Sequence, residues 1–367
     1  MQELPDLCRE LNIQSPLFVT DQALRSLPFF IDTLGICEQA GLRAGVFSDL
    51  VSNPTLGNIT NGVTAFKTGG HDGVIGFGGG SAMDGAKAIG LMQGQTRPLW
   101  DFEDVGDNWL RVNTETLAPV IAIPTTAGTG SEVGRVAVIS DTEEKVKRLI
   151  FHPRMMPDIV VLDPQLVVGL PPFLTACTGM DALSHALEAY CAPGFHPMAD
   201  GIACEAVRLI HLYLKRATLD GTDMEARAHM LAAATMGATA FQKGLGAMHA
   251  LAHPLGAVYN SHHGLLNAIL MPYVLNANKS EISEKIARLA TILNLDESDF
   301  EGFLSWILTL QRDLSIPHTL LEIGIDGKDA DEIGHLAATD PSAATNPNVL
   351  SSQEYAKLYL DAVNGVL

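Results

Sequence analysis

The sequence predicts an α/β N-terminal domain with a parallel sheet (residues 1–164), followed by an all-α C-terminal domain (residues 165–367). Short apolar runs alternate with longer helical patterns in the first part, which is typical of a parallel sheet with crossover helices. After residue 164 the strand pattern stops, and one helical segment follows another. The composition of the 367-residue chain, 47% hydrophobic and 18% charged, supports two domains with large cores and argues against disorder.

The strands are predicted from six apolar runs in the first part of the chain. Most of them lack polar alternation, as expected for strands buried on both faces of a parallel sheet. Glycine-rich segments follow two of the runs. They would lie at the sheet edge where α/β domains bind ligands. The runs are LFVT (17–20), AGVFS (44–48), GVIGF (73–77), PVIAI (119–123), VAVI (136–139) and IVVL (159–162).

The second part is predicted to be helical from Thr175 onward, without a convincing strand. The LPPF segment marks the break before the helices, and Pro254 is expected to disturb the helix that contains it. The predicted helices cover residues 179–190, 197–214, 224–241, 245–259 and 265–276, with several more before the C-terminus.

The charge balance argues against some partners. With 23 Lys+Arg against 42 Asp+Glu the formal charge is −19, so we expect neither nucleic acid nor a membrane surface as a partner. No apolar run approaches the ~18 residues of a membrane span, and the acidic N-terminus shows no signal peptide. The five cysteines have no CxxC spacing, which is typical of reduced, mostly buried thiols in a cytoplasmic protein.

A first glycine-rich turn lies between an apolar run and a helix, in GVIGFGGGSAMDGAKAIG. Gly78, Gly79 and Gly80 remove every side chain before Ser81, so backbone amides at the helix start can approach a pyrophosphate. The spacing differs from the GxGxxG of dinucleotide-binding folds. The alternative is a tight turn that binds nothing.

A second loop, IPTTAGTGSE, follows the next apolar run and is rich in glycine and hydroxyl groups. Its hydroxyls and amides suit a ribose, a phosphate or a nicotinamide carboxamide. The alternative is an ordinary surface connection. The hydroxyl side chains considered for cofactor binding are Thr125, Thr126, Thr129 and Ser131.

Two acids also stand at strand ends: Asp21 after LFVT and Asp49 after AGVFS. An acid at such a position can accept hydrogen bonds from an adenosine ribose and repel a 2′-phosphate. A helix cap or a turn is the alternative for each of them.

An aspartate and several histidines cluster in two helical segments. Asp181 and His185 are four residues apart in GMDALSHALEAY, which places both on one helix face. His249 and His253 repeat that spacing in HALAHPLGAVYNSHHG, and two adjacent histidines follow at its end. A lone helical histidine is usually a core or surface residue, but this arrangement predicts a divalent-metal site. Imidazole with carboxylate suits Zn, Fe, Ni or Mn, and the residues do not choose among them.

Taken together, the segments resemble those of the iron-containing, group III alcohol dehydrogenases over nearly the whole chain. GGGSAMDGAKAIG, PTTAGTGSE, GMDALSHALEAY and HALAHPLGAVYNSHHG are similar to the signature segments of that family, in its order. The resemblance implies a dehydroquinate synthase-like fold and hydride transfer between NAD(P)(H) and a primary alcohol or aldehyde. His253 matches a histidine near the nicotinamide and is expected to relay a proton. The matching positions imply four ligands for Fe²⁺, or for Zn²⁺ in its place: Asp181, His185, His249 and His263.

For the dinucleotide, the resemblance favours Asp21 over Asp49 as the acid on the adenosine ribose, and with it NAD(H) over NADP(H). Lys147 matches a lysine near that ribose, and Asp84 belongs to the first signature segment. The family also implies a homodimer. This sequence lacks the strand pair that usually precedes the first strand, which leaves the dimer contact open.

Two cationic residues are candidates for binding the substrate. Arg135 stands where many family members have a neutral residue, and Lys243 lies in a segment one residue shorter than usual. An unpaired buried cation is costly, so one hypothesis is an acid-bearing substrate such as succinic semialdehyde or 4-hydroxybutyrate. In the other hypothesis, Arg135 pairs with Glu132 or the cofactor phosphates and Lys243 points to solvent. The substrate is then a general primary alcohol.

Two alternative functions also stay open. One is a relative with different chemistry, such as a polyol dehydrogenase of the glycerol type that uses zinc, or a zinc-dependent lyase similar to dehydroquinate synthase. The other is a non-catalytic protein that binds a nucleotide or a metal.

Overall fold

The computed structural model describes residues 1–144 and 146–367. The chain forms two compact units. The first comprises residues 1–126 and 130–167, and the second comprises residues 127–129 and 168–367. The short segment 127–129, from the second glycine-rich loop, therefore belongs to the helical unit.

A parallel sheet forms the centre of the first unit, and its strands lie in the order β2 (Gly45–Leu50), β1 (Pro16–Asp21), β3 (Gly73–Gly78), β4 (Val120–Pro124) and β7 (Ile159–Val160). Helices connect the first four strands of this sheet in chain order, as the alternating pattern predicts, whereas a two-stranded hairpin lies between the last two. In chain order the elements are α1 (Leu4–Glu10), β1 (Pro16–Asp21), α2 (Gln22–Arg25), α3 (Pro28–Gln39), β2 (Gly45–Leu50), α4 (Leu56–Thr68), β3 (Gly73–Gly78), α5 (Gly80–Met92), β4 (Val120–Pro124), β5 (Val136–Asp141), β6 (Val146–Phe151) and β7 (Ile159–Val160).

Both faces of this sheet are buried. Leu17 and Val19 of β1 belong to one hydrophobic cluster, while Phe18 between them belongs to the other, with Phe77 of β3. Alternate side chains of one strand thus enter two separate cores. This is why the runs show no polar alternation, and the predicted parallel sheet is confirmed.

One predicted strand lies outside the parallel sheet. The VAVI run forms β5, which pairs with β6 as an antiparallel hairpin in a separate two-stranded sheet. The burial of β5 alternates along the strand, as expected when only one face is covered. The sequence did not predict β6, because VKRLIF carries a lysine and an arginine within a short apolar run.

The second unit is helical, and its residues, all described, contain no strand. The five helices predicted from Gly179 to Asn276 are present, although the first begins seven residues earlier than predicted, at Pro172, and the second ends five residues later, at Leu219. Pro254 does not end its helix, which continues to Tyr259 and stops at Asn260 in the left-handed conformation. The helices are α6 (Pro172–Cys191), α7 (Pro197–Leu219), α8 (Met224–Ala240), α9 (Ala247–Tyr259), α10 (His263–Ala277), α11 (Lys279–Ile292), α12 (Phe300–Asp313), α13 (Ala330–Thr339) and α14 (Ser352–Asn364).

The cysteines behave as the sequence predicts. All five are free, and four of them are buried, with Cys204 partly exposed. Burial raises the pKa of Cys8 and Cys177 to about 12 each, which suppresses the reactive thiolate at neutral pH. Among the described residues, no helix combines the length and apolar character that a membrane crossing requires.

Candidate metal and cofactor sites

The first glycine-rich turn has the geometry of an anion site. Gly78 ends β3 at φ +150°, and a Cβ there would lie 2.8 Å from Cβ of Ala82. Gly79 precedes the first turn of α5 in an extended conformation, so no side chain stands before the helix. Because Gly78, Gly79 and Gly80 carry no side chain, a phosphate can approach the amides at the start of this 13-residue helix.

The second loop is joined to the first. The Thr125 amide donates to the Gly78 carbonyl at 2.9 Å, and the Thr126 side chain lies beside Gly79. Ser131 and Asp84 bind each other, Oγ to Oδ1 at 2.5 Å, and the Val138 amide donates to Asp84 Oδ2 at 3.0 Å. Asp84 therefore fixes the end of the second loop and strand β5, which follows it.

The two acids at strand ends both make local contacts. Asp21 Oδ1 accepts the amides of Ala23 and Leu24 at 2.8 and 2.9 Å, so it caps α2. Asp49 Oδ1 accepts a hydrogen bond from the Gln22 side chain at 3.0 Å. Lys147 lies on β6, where burial lowers its pKa and the nearby Asp84 carboxylate opposes that effect.

The second unit brings the predicted metal residues together. Asp181 and His185 of α6 and His249 of α9 each offer a ligand atom, and these atoms lie within 4.8 Å of one another. His263, the first residue of α10, places Nε2 3.6 Å from Asp181 Oδ1. The rings of His249 and His263 are 5.2 Å apart. Three helices therefore present a carboxylate and three imidazoles to one point.

Asn267 marks that point. Its Nδ2 lies 2.8 Å from Asp181 Oδ1 and 3.2 Å from Nε2 of both His249 and His263. Three acceptor atoms thus converge on one fully buried amide nitrogen. Asn267 Oδ1 and His185 Nδ1 are also buried, with no hydrogen-bond partner among the described residues. Converging lone pairs with unsatisfied polar atoms beside them fit a cation held by carboxylate and imidazole.

The electrostatics of Asp181 and His185 favour the protonation states that a metal requires, whereas at His249 the Glu188 carboxylate raises the pKa against the effect of burial. Burial alone would raise the pKa of Asp181, but His185, His263 and His249, with a hydrogen bond from Asn267, lower it to about 2. Burial lowers the pKa of His185 to about 4 despite the nearby Asp181. An ionised carboxylate and a neutral imidazole are the forms that ligate a metal.

His253 lies beside this cluster without joining the convergence point. Its ring is stacked on that of His263, 5.5 Å between centroids and 11° between planes. Its Nδ1 is 2.9 Å from Asp340 Oδ2. The neighbouring His262 instead caps α10, with Nδ1 accepting the Leu265 amide at 3.3 Å.

Sequence reasoning missed Asn267 and Asp340. Asn267 carries one available signal, since it follows His263 by four residues and therefore shares its helix face. Asp340 lies 87 residues from His253, and no local pattern connects them.

The two cations considered for the substrate lie in different units. Arg135 precedes β5, with its guanidinium carbon 5.6 Å from the centre of the Phe151 ring. The side chain of Lys243 is only 3% exposed, and its Nζ donates to Asp200 Oδ1 at 2.6 Å. It therefore neither points to solvent nor lacks a counter-ion.

Both halves of the chain match family models. Residues 1–164 match the model described as iron-containing alcohol dehydrogenase, and residues 175–363 match the C-terminal model of the Fe-containing alcohol dehydrogenase family.

Curated relatives and solved structures agree with these matches. The chain is 36% identical over 366 residues to 4-hydroxybutyrate dehydrogenase of Cupriavidus necator, covering 96% of this chain and 93% of that one. It is 34% identical over 370 residues to NAD-dependent methanol dehydrogenase of Bacillus methanolicus, covering 99% and 96%. A crystal structure of 1,3-propanediol oxidoreductase superposes with a TM-score of 0.94 at 34% identity, covering 98% and 95%.

Proposed function

Because the chain belongs to the iron-containing alcohol dehydrogenase family, we propose that it transfers hydride between NAD(H) and a small primary alcohol or aldehyde at an Fe²⁺ site. The observation that carries the proposal is the convergence of Asp181, His249 and His263 on one buried point, with His185 alongside. Neither a surface histidine cluster nor a nucleotide-binding protein without catalysis requires such a buried donor set.

In this proposal the ion is held by the four side chains that converge in the second unit: Asp181, His185, His249 and His263. When bound, the ion supplies Lewis-acid polarisation of a substrate oxygen. Iron is chosen over zinc on the family match, because the ligand types suit both.

His253 is proposed to relay the proton that an alcohol loses or an aldehyde gains. Asp340 accepts the Nδ1 proton at 2.9 Å, which fixes the ring orientation and leaves Nε2 as the atom that exchanges protons. The ring is partly exposed, with 28% of its side-chain surface accessible, so water can carry the proton onward.

The first unit is proposed to bind the dinucleotide. The amides after Gly78 and Gly79 would receive the pyrophosphate, with Thr125 and Thr126 beside them. Ser131 and Asp84 support this arrangement through their mutual hydrogen bond. NAD(H) is preferred because the Asp21 carboxylate, at the end of β1, would repel a 2′-phosphate.

For the substrate, we propose an acid-bearing C4 aldehyde such as succinic semialdehyde, with Arg135 binding its carboxylate. Two observations support this: the 36% identical relative is named for 4-hydroxybutyrate, and Arg135 follows the second glycine-rich loop. Lys243 takes no part in this proposal, because its ammonium group is already paired with Asp200.

The test is turnover by the purified, iron-reconstituted protein, followed as NADH absorbance at 340 nm. Succinic semialdehyde and butyraldehyde form a matched pair that differs in the carboxylate. Arg135→Met should raise KM for succinic semialdehyde by about tenfold or more, since a hydrogen bond to a charged group contributes ~1.5–3 kcal/mol, and should leave butyraldehyde unaffected. Equal losses on both aldehydes would point to a general primary-alcohol dehydrogenase. Zinc in the protein together with glycerol oxidation would indicate a polyol dehydrogenase.

A further inference from the structure

Helix α9, which carries His249 and His253, begins without a capping side chain of its own. Its N-cap residue is Gly246. The amides of the first turn are instead satisfied by residues that are distant in sequence. The Ala247 amide donates to Asn346 Oδ1 at 3.0 Å, and the Met248 amide donates to Glu188 Oε1 at 2.7 Å. Both acceptors are buried.

The glycine at position 246 makes this arrangement possible. A Cβ there would lie 2.9 Å from Asn346 Oδ1 and 3.0 Å from Glu188 Oε1, closer than such atoms normally approach. A serine or aspartate, the usual N-cap residues, would displace both acceptors. The helix start is therefore built around Glu188 and Asn346.

Glu188 also contacts His249 directly. Its second oxygen, Oε2, lies 2.6 Å from His249 Nδ1, and the side chains are 4% and 2% exposed. Since a carboxylate accepts hydrogen bonds, the proton of the imidazole is drawn to Nδ1. Nε2 then keeps its lone pair, and Nε2 is the atom that points at Asn267 Nδ2.

Glu188 lies on the same helix as two of the proposed metal ligands. The same helix carries Asp181 and His185, seven and three residues before Glu188. One carboxylate thus links the helix that supplies two of the proposed ligands to the first turn of the helix that supplies the third.

We propose that Glu188 is a positioning residue for the metal site, which holds His249 with Nε2 free to bind the ion and fixes the start of α9. The inference rests on the proposed function, because it assumes that His249 ligates the metal. In known metal sites, partners that orient a ligating histidine typically contribute about 10- to 100-fold to metal affinity.

The test is metal affinity of Glu188→Gln, measured with the full-length protein after chelation. Cobalt(II) absorbance is the probe, with zinc competition as a check. Glutamine retains an acceptor for the Met248 amide but presents NH₂ to His249 Nδ1, so the favoured tautomer is reversed. We expect cobalt affinity to fall about 10- to 100-fold while NADH binding is unchanged.

Asn346→Ala is the matched control. It removes the other acceptor at the start of α9 without touching the His249 ring. Its melting temperature should fall, while its cobalt affinity should stay within about threefold of wild type. Equal cobalt affinity in Glu188→Gln and wild type would overturn the inference, as would equal losses in the two variants.

A measurement on the unsubstituted protein covers the case in which Glu188→Gln does not fold. In the zinc-loaded protein with ¹⁵N-labelled histidine, His249 should show a proton on Nδ1. A proton on Nε2 would overturn the inference. Failure of the wild type to bind any divalent ion would instead refute the proposed function, so the two failures are distinguishable.

Discussion

Loss of Lys87 should weaken the first unit. Lys87 lies on α5 with a side chain only 1% exposed, and its Nζ is 3.1 Å from Asp84 Oδ1. The ammonium group also donates to Ser131 Oγ and the Ser131 carbonyl, at 2.7 and 3.0 Å, and to the carbonyls of Gly134 and Val136. The Lys87 ammonium group therefore joins α5 to the end of the second glycine-rich loop and to the residues that lead into β5.

The perturbation is Lys87→Met, which keeps most of the side-chain volume and removes the charge. Removing one partner of a buried ion pair typically costs about 3–5 kcal/mol. Asp84 keeps two donors, Ser131 Oγ and the Val138 amide, which offset part of the loss. Three carbonyls lose a charged donor at the same time. We therefore expect a loss of about 3 kcal/mol in the free energy of unfolding of the first unit.

Urea unfolding measures this loss. Two of the three tryptophans, Trp100 and Trp109, lie in the first unit, so a Trp306→Phe background makes the fluorescence specific for it. Lys67→Met is the control, because Lys67 is an exposed lysine on α4 of the same unit and should change stability by less than about 0.5 kcal/mol. NADH binding, followed by its fluorescence, should weaken only in the Lys87 variant.

Equal midpoints for the two lysine variants would refute this reasoning. Hydrogen bonds to water would then replace the contacts of Lys87 without a loss in the free energy of unfolding. Intact stability with weakened NADH binding would also contradict it, because it would mean that Lys87 meets the cofactor directly.

Three further predictions concern the sites. His263→Ala should weaken metal binding by more than the ~100-fold typical of an outer partner, while NADH binding persists; full metal content after dialysis would contradict it. Asp21→Asn retains the Oδ1 acceptor that caps α2 but removes the charge, so the NADH-to-NADPH ratio of kcat/KM should fall about tenfold. An unchanged ratio would remove Asp21 from the cofactor site. Gly246→Ala should lower the free energy of unfolding by about 1–3 kcal/mol, because its Cβ meets two buried oxygens. Gly201→Ala is the control: a Cβ there has no atom within 4 Å, so alanine should stabilise α7. Thermal unfolding of both variants distinguishes crowding at Gly246 from a general effect of alanine.

Most of the fold could be predicted because its signals are local. The strands of the parallel sheet are uninterrupted apolar runs, and all five helices from α6 to α10 were predicted, although α6 begins seven residues before its predicted start and α7 ends five residues after its predicted end. Strand β6 could not be predicted in the same way, because its charged residues hide a strand that depends on β5 for partners. The helix predicted over residues 245–259 is present as α9, which begins at Ala247 and contains Pro254.

In the candidate sites, too, the residues with local signals could be predicted and their distant partners could not. Asp181 with His185 and His249 with His253 carry helical spacing, so their shared faces were predictable. The carboxylate partners of the two histidines were not predictable, because each is distant in sequence: Glu188 lies 61 residues from His249 and Asp340 lies 87 residues from His253. Lys243 was a candidate for binding the substrate, but its ammonium group pairs with Asp200, 43 residues away in the sequence. A cation that seemed available for a substrate is already neutralised by a partner that only the fold brings to it.

The distribution of the proposed ligands over three helices has a consequence for folding. An ion held by α6, α9 and α10 acts as a cross-link that closes two chain loops and so removes conformational freedom from the unfolded chain. The stabilisation grows with the logarithm of free metal concentration, to about 2.7 kcal/mol at a hundred times Kd. None of the four ligand residues lies in the first unit. If the proposed ion is bound, metal supply would therefore affect how long the helical half survives proteolysis, and iron limitation would lower the amount of protein as well as its activity.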